Sequence, residues 1–283
     1  MKSKTCMITG ANSGIGYILA RELARMNAHI VMVCRSKERG EAARKKIINQ
    51  TKNQSVDLLI ADLSSMKQVR KLADDFKNRY ERLHVLINNA AIWPTERMVT
   101  VDGLEMQFAV NYLAHFLLTI LLLDVIKASA PTRIVNVSSG IHRRGRINFD
   151  DLQAEKKYKD LRAYGRTKLM KVYFTYELAR RLKGTGVTVN CFTPGMTATN
   201  LGRYMSSFAK WFLRVFGKSP EKGASTGVYL ASSTEVEGVT GKYFADCRER
   251  RSSKLSYDEG VARRLWGVSE RLVGSPVEGS KQA

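Results

Sequence analysis

Short continuous apolar runs alternate along the chain with stretches whose apolar residues fall three and four apart. Thr5 to Thr9 is the first run. Ile18, Leu19, Leu23 and Met26 follow at helical spacing. The alternation continues with a strand at Ile30 to Cys34 and a helix over Glu38 to Ile48. A strand at Val56 to Ala61 precedes a helix over Met66 to Tyr80, and Leu83 to Asn88 is a fourth strand. Gly103 to Ile126 contains a long apolar helix. Arg133 to Ser138 is a fifth strand, Tyr164 to Arg181 a helix and Val187 to Thr193 a sixth strand. Ser219 to Ser232 predicts another helix, and Gly241 to Phe244 a last short strand. Apolar runs without polar alternation suit strands covered on both faces. Strand and helix in turn predict an α/β fold: a doubly wound, Rossmann-type parallel sheet with helices on both faces, in a single domain over residues 1–274. Ligand is then expected at the carboxyl ends of the strands. The segment from Ser275 is rich in Pro, Gly, Ser and Lys and is expected to form a flexible tail.

Composition narrows the function classes. Apolar residues are 44% of the chain, ordinary for a globular protein. The longest greasy stretch, Phe116 to Leu123, is far shorter than the ~20 residues of a membrane span, and no apolar leader precedes the first strand. Cys6, Cys34, Cys191 and Cys247 are scattered, with neither metal-type spacing nor a disulfide framework. A reducing, cytoplasmic setting and no metal site are expected, with Cys6, Cys34 and Cys191 as buried thiols. Lys and Arg number 47 against 26 Asp and Glu, a formal charge of +21. That balance favours anionic partners, but the charge is spread over many segments and no nucleic-acid motif accompanies it, so no specific nucleic-acid partner is expected.

Two groups of residues carry candidate chemistry. Gly10-Ala11-Asn12-Ser13-Gly14-Ile15-Gly16 joins the first strand to the first helix. Glycines there permit a tight turn and close approach of backbone to phosphate, and the helix start offers free N–H groups to a pyrophosphate. Tyr164 and Lys168, four apart, share one face of a helix. An ammonium beside a phenol favours the phenolate, so the pair is a candidate general acid/base, with Lys168 expected to lower the Tyr164 pKa.

Thr9-Gly10-x-x-x-Gly14-x-Gly16, Asn88-Asn89-Ala90, Asn111, Ser138-Ser139, Tyr164-x-x-x-Lys168 and Pro194-Gly195 occur in an order that resembles the short-chain dehydrogenase/reductase family over nearly the whole chain. His142, Ile147 to Leu152 and Gly241 to Cys247 resemble its retinol dehydrogenase-like branch. Ala91 departs from the family's usual glycine. The resemblance implies catalytic roles for Asn111, Ser139, Tyr164 and Lys168. Tyr164 would exchange a proton with the substrate oxygen, and Ser139 would hydrogen-bond that oxygen. Lys168 would also hold the nicotinamide ribose, and Asn111 would support a water-linked proton path. Ser138 is set aside: strand alternation turns neighbouring side chains apart, and the resemblance favours the second serine. Cofactor contacts are implied at Gly10, Asn12, Ser13, Gly14, Ile15, Gly16, Asp62, Leu63, Asn89 and Ala90. Tyr164, Lys168, Pro194, Gly195, Thr197 and Thr199 complete that set. The cofactor half would span about residues 1–130, and the catalytic and substrate half about 131–274.

Cofactor choice follows from charge. The second strand ends in Arg35, with Lys37 and Arg39 near and no acid in place for ribose hydroxyls. Arginine grips a 2′-phosphate, so NADP(H) is expected. Leu201 to Phe216, rich in aromatic residues and interrupted by Lys210 and Arg214, reads as an apolar lid within about 197–218. Such a lid suits a lipophilic carbonyl compound such as a retinoid, steroid or lipid aldehyde. The same pattern also fits peripheral membrane contact or packing at a subunit interface. A homo-oligomer is expected from the resemblance. The expected activity is therefore NADP(H)-dependent interconversion of an alcohol and a carbonyl. Two alternatives stand beside it: a nucleotide-binding regulatory or scaffolding protein on the same fold, and reduction of a carbon–carbon double bond.

Overall fold

The computed structural model of the chain describes residues 1–195 and 219–274. The leading strand β1 (Thr5–Thr9) is buried on both faces, with Cys6, Met7, Ile8 and Thr9 excluded from solvent. It lies at the middle of an eight-stranded sheet with β2 (His29–Cys34), β3 (Val56–Ile60), β4 (Val85–Asn88), β5 (Thr132–Val137), β6 (Val187–Thr193), β7 (Lys242–Ala245) and β8 (Arg248–Arg250). The order is β3-β2-β1-β4-β5-β6-β7-β8, parallel throughout except for the antiparallel β8. The winding reverses between β1 and β4, which opens a crevice outside their carboxyl ends. The expected α/β fold is the one observed.

Helices α1 (Gly14–Arg25), α2 (Lys37–Thr51) and α3 (Met66–Arg79) follow the first three strands. Helix α1 buries Ile18, Leu19 and Leu23 of the stripe its sequence spacing predicts, with Ile15 beside them, whereas Met26 caps the helix end and is exposed. The long helix expected within Gly103 to Ile126 is broken into α4 (Met106–Phe108), a π-helical turn (Ala109–Leu113), α5 (Ala114–Leu121) and α6 (Leu123–Ala128). The π turn holds Asn111, and such widened turns recur at functional sites.

Helix α7 (Asp160–Arg181) begins four residues before Tyr164 and is buried continuously from Ala163 to Ala179. Its sequence is not apolar all round, so its polar side chains must find partners inside. The cover on its far side is α9 (Glu259–Val273), which, like β8, the sequence reading did not anticipate. Helix α8 (Pro220–Ser232) packs on α1 instead. Trp266 of α9 meets Phe116 edge-on at 5.0 Å and stacks on Phe174 at 6.0 Å, while Tyr112 and Ser269 share a 2.8 Å hydrogen bond. Asp258 caps α9 by accepting from the Val261 N–H, and Gly274 closes it in the left-handed conformation.

The apolar core lies on both sides of the sheet. One cluster joins α3, α5, α7 and α9, and the other joins α1, α2 and α8. Cys6, Cys34 and Cys191 are buried thiols as expected. Among the described residues no helix is long and apolar enough to cross a membrane. The lid from Leu201 to Phe216, Thr197, Thr199 and the tail from Ser275 lie outside the described residues.

Candidate functional site

A cleft of about 1000 Å³ runs along the carboxyl ends of β1, β2, β4 and β5. Its floor is the glycine turn. Gly10 has φ +68°, and a Cβ on Gly16 would lie 2.3 Å from the Gly10 carbonyl oxygen. A side chain at Gly16 is excluded by the Gly10 backbone and by the Asn89 amide, whose Nδ2 would lie 2.5 Å from that Cβ. Asn89 holds the turn from β4, its side-chain amide donating to the carbonyls of Thr9 (2.7 Å) and Gly10 (3.4 Å). The Thr9 hydroxyl accepts from the N–H groups of Asn89 (2.9 Å) and Ala90 (3.0 Å). Asn12, Ser13, Gly14 and Ile15 line the same floor, with Ser13 at the N-terminus of α1. A glycine-rich turn running into a helix start fits a dinucleotide pyrophosphate.

Arg35 and Arg39 line the cleft at the end of β2, both exposed, with Ser36 between them capping α2. Lys46 and Tyr17 extend this flank, the lysine amine 5.5 Å from the tyrosine ring centroid. The sequence reading missed that pair, since Lys46 lies well beyond the β2 turn. Asp62 and Leu63 border the cleft after β3. The Asp62 carboxylate accepts from the N–H and hydroxyl of Ser64, which fixes the turn. Pro194 and Gly195 close the cleft after β6.

Ser139, Tyr164 and Lys168 meet the glycine turn in the same cleft. The Lys168 amine lies 5.3 Å from the Tyr164 ring centroid and donates to the Val137 carbonyl at 3.1 Å. Burial pushes the Tyr164 phenol up from its ordinary value and drives Lys168 down to about 7. Desolvation is the cause of both shifts. Ser138 is tied to α7, its hydroxyl donating to the Lys168 carbonyl at 2.9 Å. Ser139 caps the turn of 3₁₀ helix Gly140–Arg144. His142 in that turn donates from Nδ1 to the Ser139 carbonyl (2.7 Å) and accepts at Nε2 from the Ser253 N–H (3.0 Å), which anchors the serine loop to the segment after β8.

Asn111 does not line the cleft. It lies fully buried behind it, exchanging hydrogen bonds with the Ile92 backbone (2.8 and 2.9 Å) and donating to Thr167 at 3.3 Å. Around it extends a polar interior that the motifs do not announce. His115 Nε2 lies 2.9 Å from the Thr9 hydroxyl, and burial beside Lys171 and Lys168 keeps this imidazole neutral, well below its ordinary pKa. The Lys171 amine, fully buried, donates to the Asn88 carbonyl at 2.6 Å. The Asn88 amide donates to Thr119 and Asn136, and Asn136 donates on to Thr175. Among the described residues no cluster of His, Cys, Asp and Glu is arranged to hold a metal ion.

Residues 4–209 match the short chain dehydrogenase family. Human retinol dehydrogenase 14 is 45% identical over 296 residues, covering 97% of this chain and 87% of its own. Mouse retinol dehydrogenase 13 is 47% identical over 280 residues, covering 96% and 84%. Among solved structures, an uncharacterised protein from Mycobacterium paratuberculosis aligns with a TM-score of 0.80 and 33% identity over 98% of this chain and 95% of its own. A short chain dehydrogenase from Escherichia coli CFT073, solved with NADPH, shares the fold with a TM-score of 0.71 at 23% identity, over 88% and 98%. The chain therefore belongs to the short-chain dehydrogenase/reductase family, in its retinol dehydrogenase-like branch, and is an oxidoreductase of alcohol and carbonyl groups that uses a nicotinamide dinucleotide.

Proposed function

We propose that the protein is an NADP(H)-dependent oxidoreductase acting on a lipophilic alcohol/carbonyl pair. One observation carries the reading: Ser139, Tyr164 and Lys168 converge on the cleft whose floor is the glycine turn. The nicotinamide, when bound, supplies or accepts the hydride. Tyr164 exchanges the proton with the substrate oxygen, Ser139 orients that oxygen, and Lys168 holds the ribose. Asn111 acts from behind, fixing the Ile92 backbone at the cleft wall and the π turn beneath it.

Arg35 and Arg39 support NADP(H) over NAD(H), because two exposed guanidinium groups flank the cleft where a 2′-phosphate would sit. Met106, Val110, Ile141 and Leu161 line the cleft near Tyr164 and support a lipophilic substrate.

The test is NADPH oxidation by the purified protein against retinal, medium-chain aldehydes, steroid ketones and quinones. Turnover of one class is expected, and Tyr164→Phe should lower it by about 10²–10⁴-fold. Tight NADPH binding with no turnover of any carbonyl would leave a nucleotide-binding protein. Arg35→Asp should cut the preference for NADPH over NADH by at least about tenfold; an unchanged preference would remove Arg35 from the cofactor site.

A further inference from the structure

Trp93 follows β4 by a few residues and lies in the cleft beside Tyr164. Its indole stacks on the Tyr164 ring, centroids 5.3 Å apart and planes within 17°. The indole N–H donates to the Asp160 carboxylate at 3.0 Å, at the first turn of the helix that carries Tyr164. The wall is therefore tied to the same helix as the phenol it covers.

The segment around Trp93 is laced down on both sides. Ile92 is held by Asn111 through two hydrogen bonds, and the Tyr158 hydroxyl donates to the Pro94 carbonyl at 3.2 Å. Arg97 donates to the Gln153 carbonyl at 3.2 Å. Gln107 in turn donates to the Tyr158 hydroxyl (2.8 Å) and the Asp160 carbonyl (3.2 Å). These bonds join the loop after β4 to the loop before α7 and fix the backbone that carries the indole.

From this geometry we infer that Trp93 is the residue that sets substrate shape: it admits carbonyl compounds that are flat and unbranched beside the carbonyl and rejects those carrying bulk there. The inference rests on the carbonyl-reducing function proposed above. One face of the phenol ring lies under the indole, so a substrate oxygen reaches the hydroxyl from the cleft, passing the indole plane. The carbon next to the reacting carbonyl then runs along a rigid aromatic surface. A planar, conjugated chain gains contact with that surface, because flat π-systems stack favourably in offset geometry. A quaternary carbon at the same place meets a ring stacked on Tyr164 and tethered to Asp160.

The experiment compares a linear 2-alkenal with a 2,2-dimethylalkanal of the same carbon number, each reduced with NADPH. The readout is the ratio of their kcat/KM values, which is independent of the fraction of folded enzyme. The wild type should prefer the linear alkenal. Trp93→Ala should shrink that preference by about tenfold or more, the usual scale for a steric change in an apolar pocket. Trp93→Phe, which keeps a flat wall but loses the tether, should fall between. Asp160→Ala releases the indole without altering it and should move the ratio the same way by a smaller factor; this variant decides the matter if Trp93→Ala does not fold. Turnover of both aldehydes with one ratio across wild type, Trp93→Phe and Asp160→Ala overturns the inference alone. A wild type that reduces neither aldehyde, nor any other carbonyl, overturns it together with the function on which it rests.

Discussion

The glycine turn at the end of β1 and the helix bearing Tyr164 border one cleft, yet they are held in place by opposite means. The turn is defined by what is missing. Gly10 adopts φ +68°, Gly16 has no room for a Cβ, and Asn89 secures the turn by bonding to its carbonyls. Helix α7 is defined by what surrounds it: it is buried from Ala163 to Ala179, under α9 on one side and against the sheet on the other. A short local motif suffices for the first. The second needs side chains from β4, β5, α5 and α9, remote from Tyr164 in sequence. The difference teaches that a backbone-built site fails by steric intrusion, whereas a side-chain-built site fails by loss of electrostatic balance.

The largest effect should come from intrusion at the turn. Gly16→Ala places a methyl group 2.3 Å from the Gly10 carbonyl oxygen, a backbone atom that can yield only if the whole turn shifts. Forced overpacking of this kind costs about 3 kcal/mol or more when the neighbour is rigid. Taken up by the cofactor site, that corresponds to roughly a hundredfold loss of NADPH affinity; taken up by the fold, it appears as a lowered Tm. Fluorescence titration with NADPH and thermal unfolding together register either. If both stayed at wild-type values, the turn would be less tightly set than its geometry requires.

The same contrast explains how much was legible in the sequence. The turn, the parallel strands and the Tyr164/Lys168 spacing follow from local periods and glycine placement, and the structure brings Gly10 to Gly16, Asn89, Ser139, Tyr164 and Lys168 into one cleft. Trp93 carried no signal, since its role comes from stacking on a residue far along the chain. Helix α9 did carry one: Ala262, Leu265, Trp266, Ser269 and Val273 recur at helical spacing and are its buried face. Strand β8 could not be read, because Arg248, Glu249 and Arg250 are all exposed and pair only through backbone. The long apolar helix within Gly103 to Ile126 carries a π turn that hydrophobic spacing does not reveal. Asn111 sits in that turn, bonding to the Ile92 backbone rather than lining the cleft. Lys171 would pass for a solvated position on sequence alone, and only the cover supplied by α9 and the sheet makes it an interior amine.

Lys171 offers the finest test of the electrostatic half of the comparison. Its amine faces the Asn88 carbonyl of β4, with Lys168 of α7, His115 of α5 and Cys191 of β6 as the titratable groups around it. Burial and the neighbouring Lys168 hold Lys171 well below its ordinary value of 10.5, while burial raises Cys191 to about 12, so the thiol stays protonated and gives no counter-charge at neutral pH. The unfolded chain carries this lysine protonated up to about pH 10.5, whereas the folded chain does not. Unfolding therefore takes up a proton throughout the window between the lowered folded pKa and 10.5, and stability rises with pH across it. Lys168, lowered to about 7, adds a slope of the same sign between about 7 and 10.5. Lys171→Met keeps the chain length and removes the penalty at this one position. At pH 7 the variant should be more stable by about 1 kcal/mol, within the ordinary range for a single substitution. The gain should shrink by about 1.4 kcal/mol per pH unit and reverse below about pH 8, where the remaining penalty no longer outweighs the lost hydrogen bond to Asn88. Urea unfolding at pH 7, 8.5 and 10 measures the difference directly. A difference independent of pH would mean that Lys171 is charged inside the fold, and that the interior behind Tyr164 tolerates two ammonium groups one turn apart.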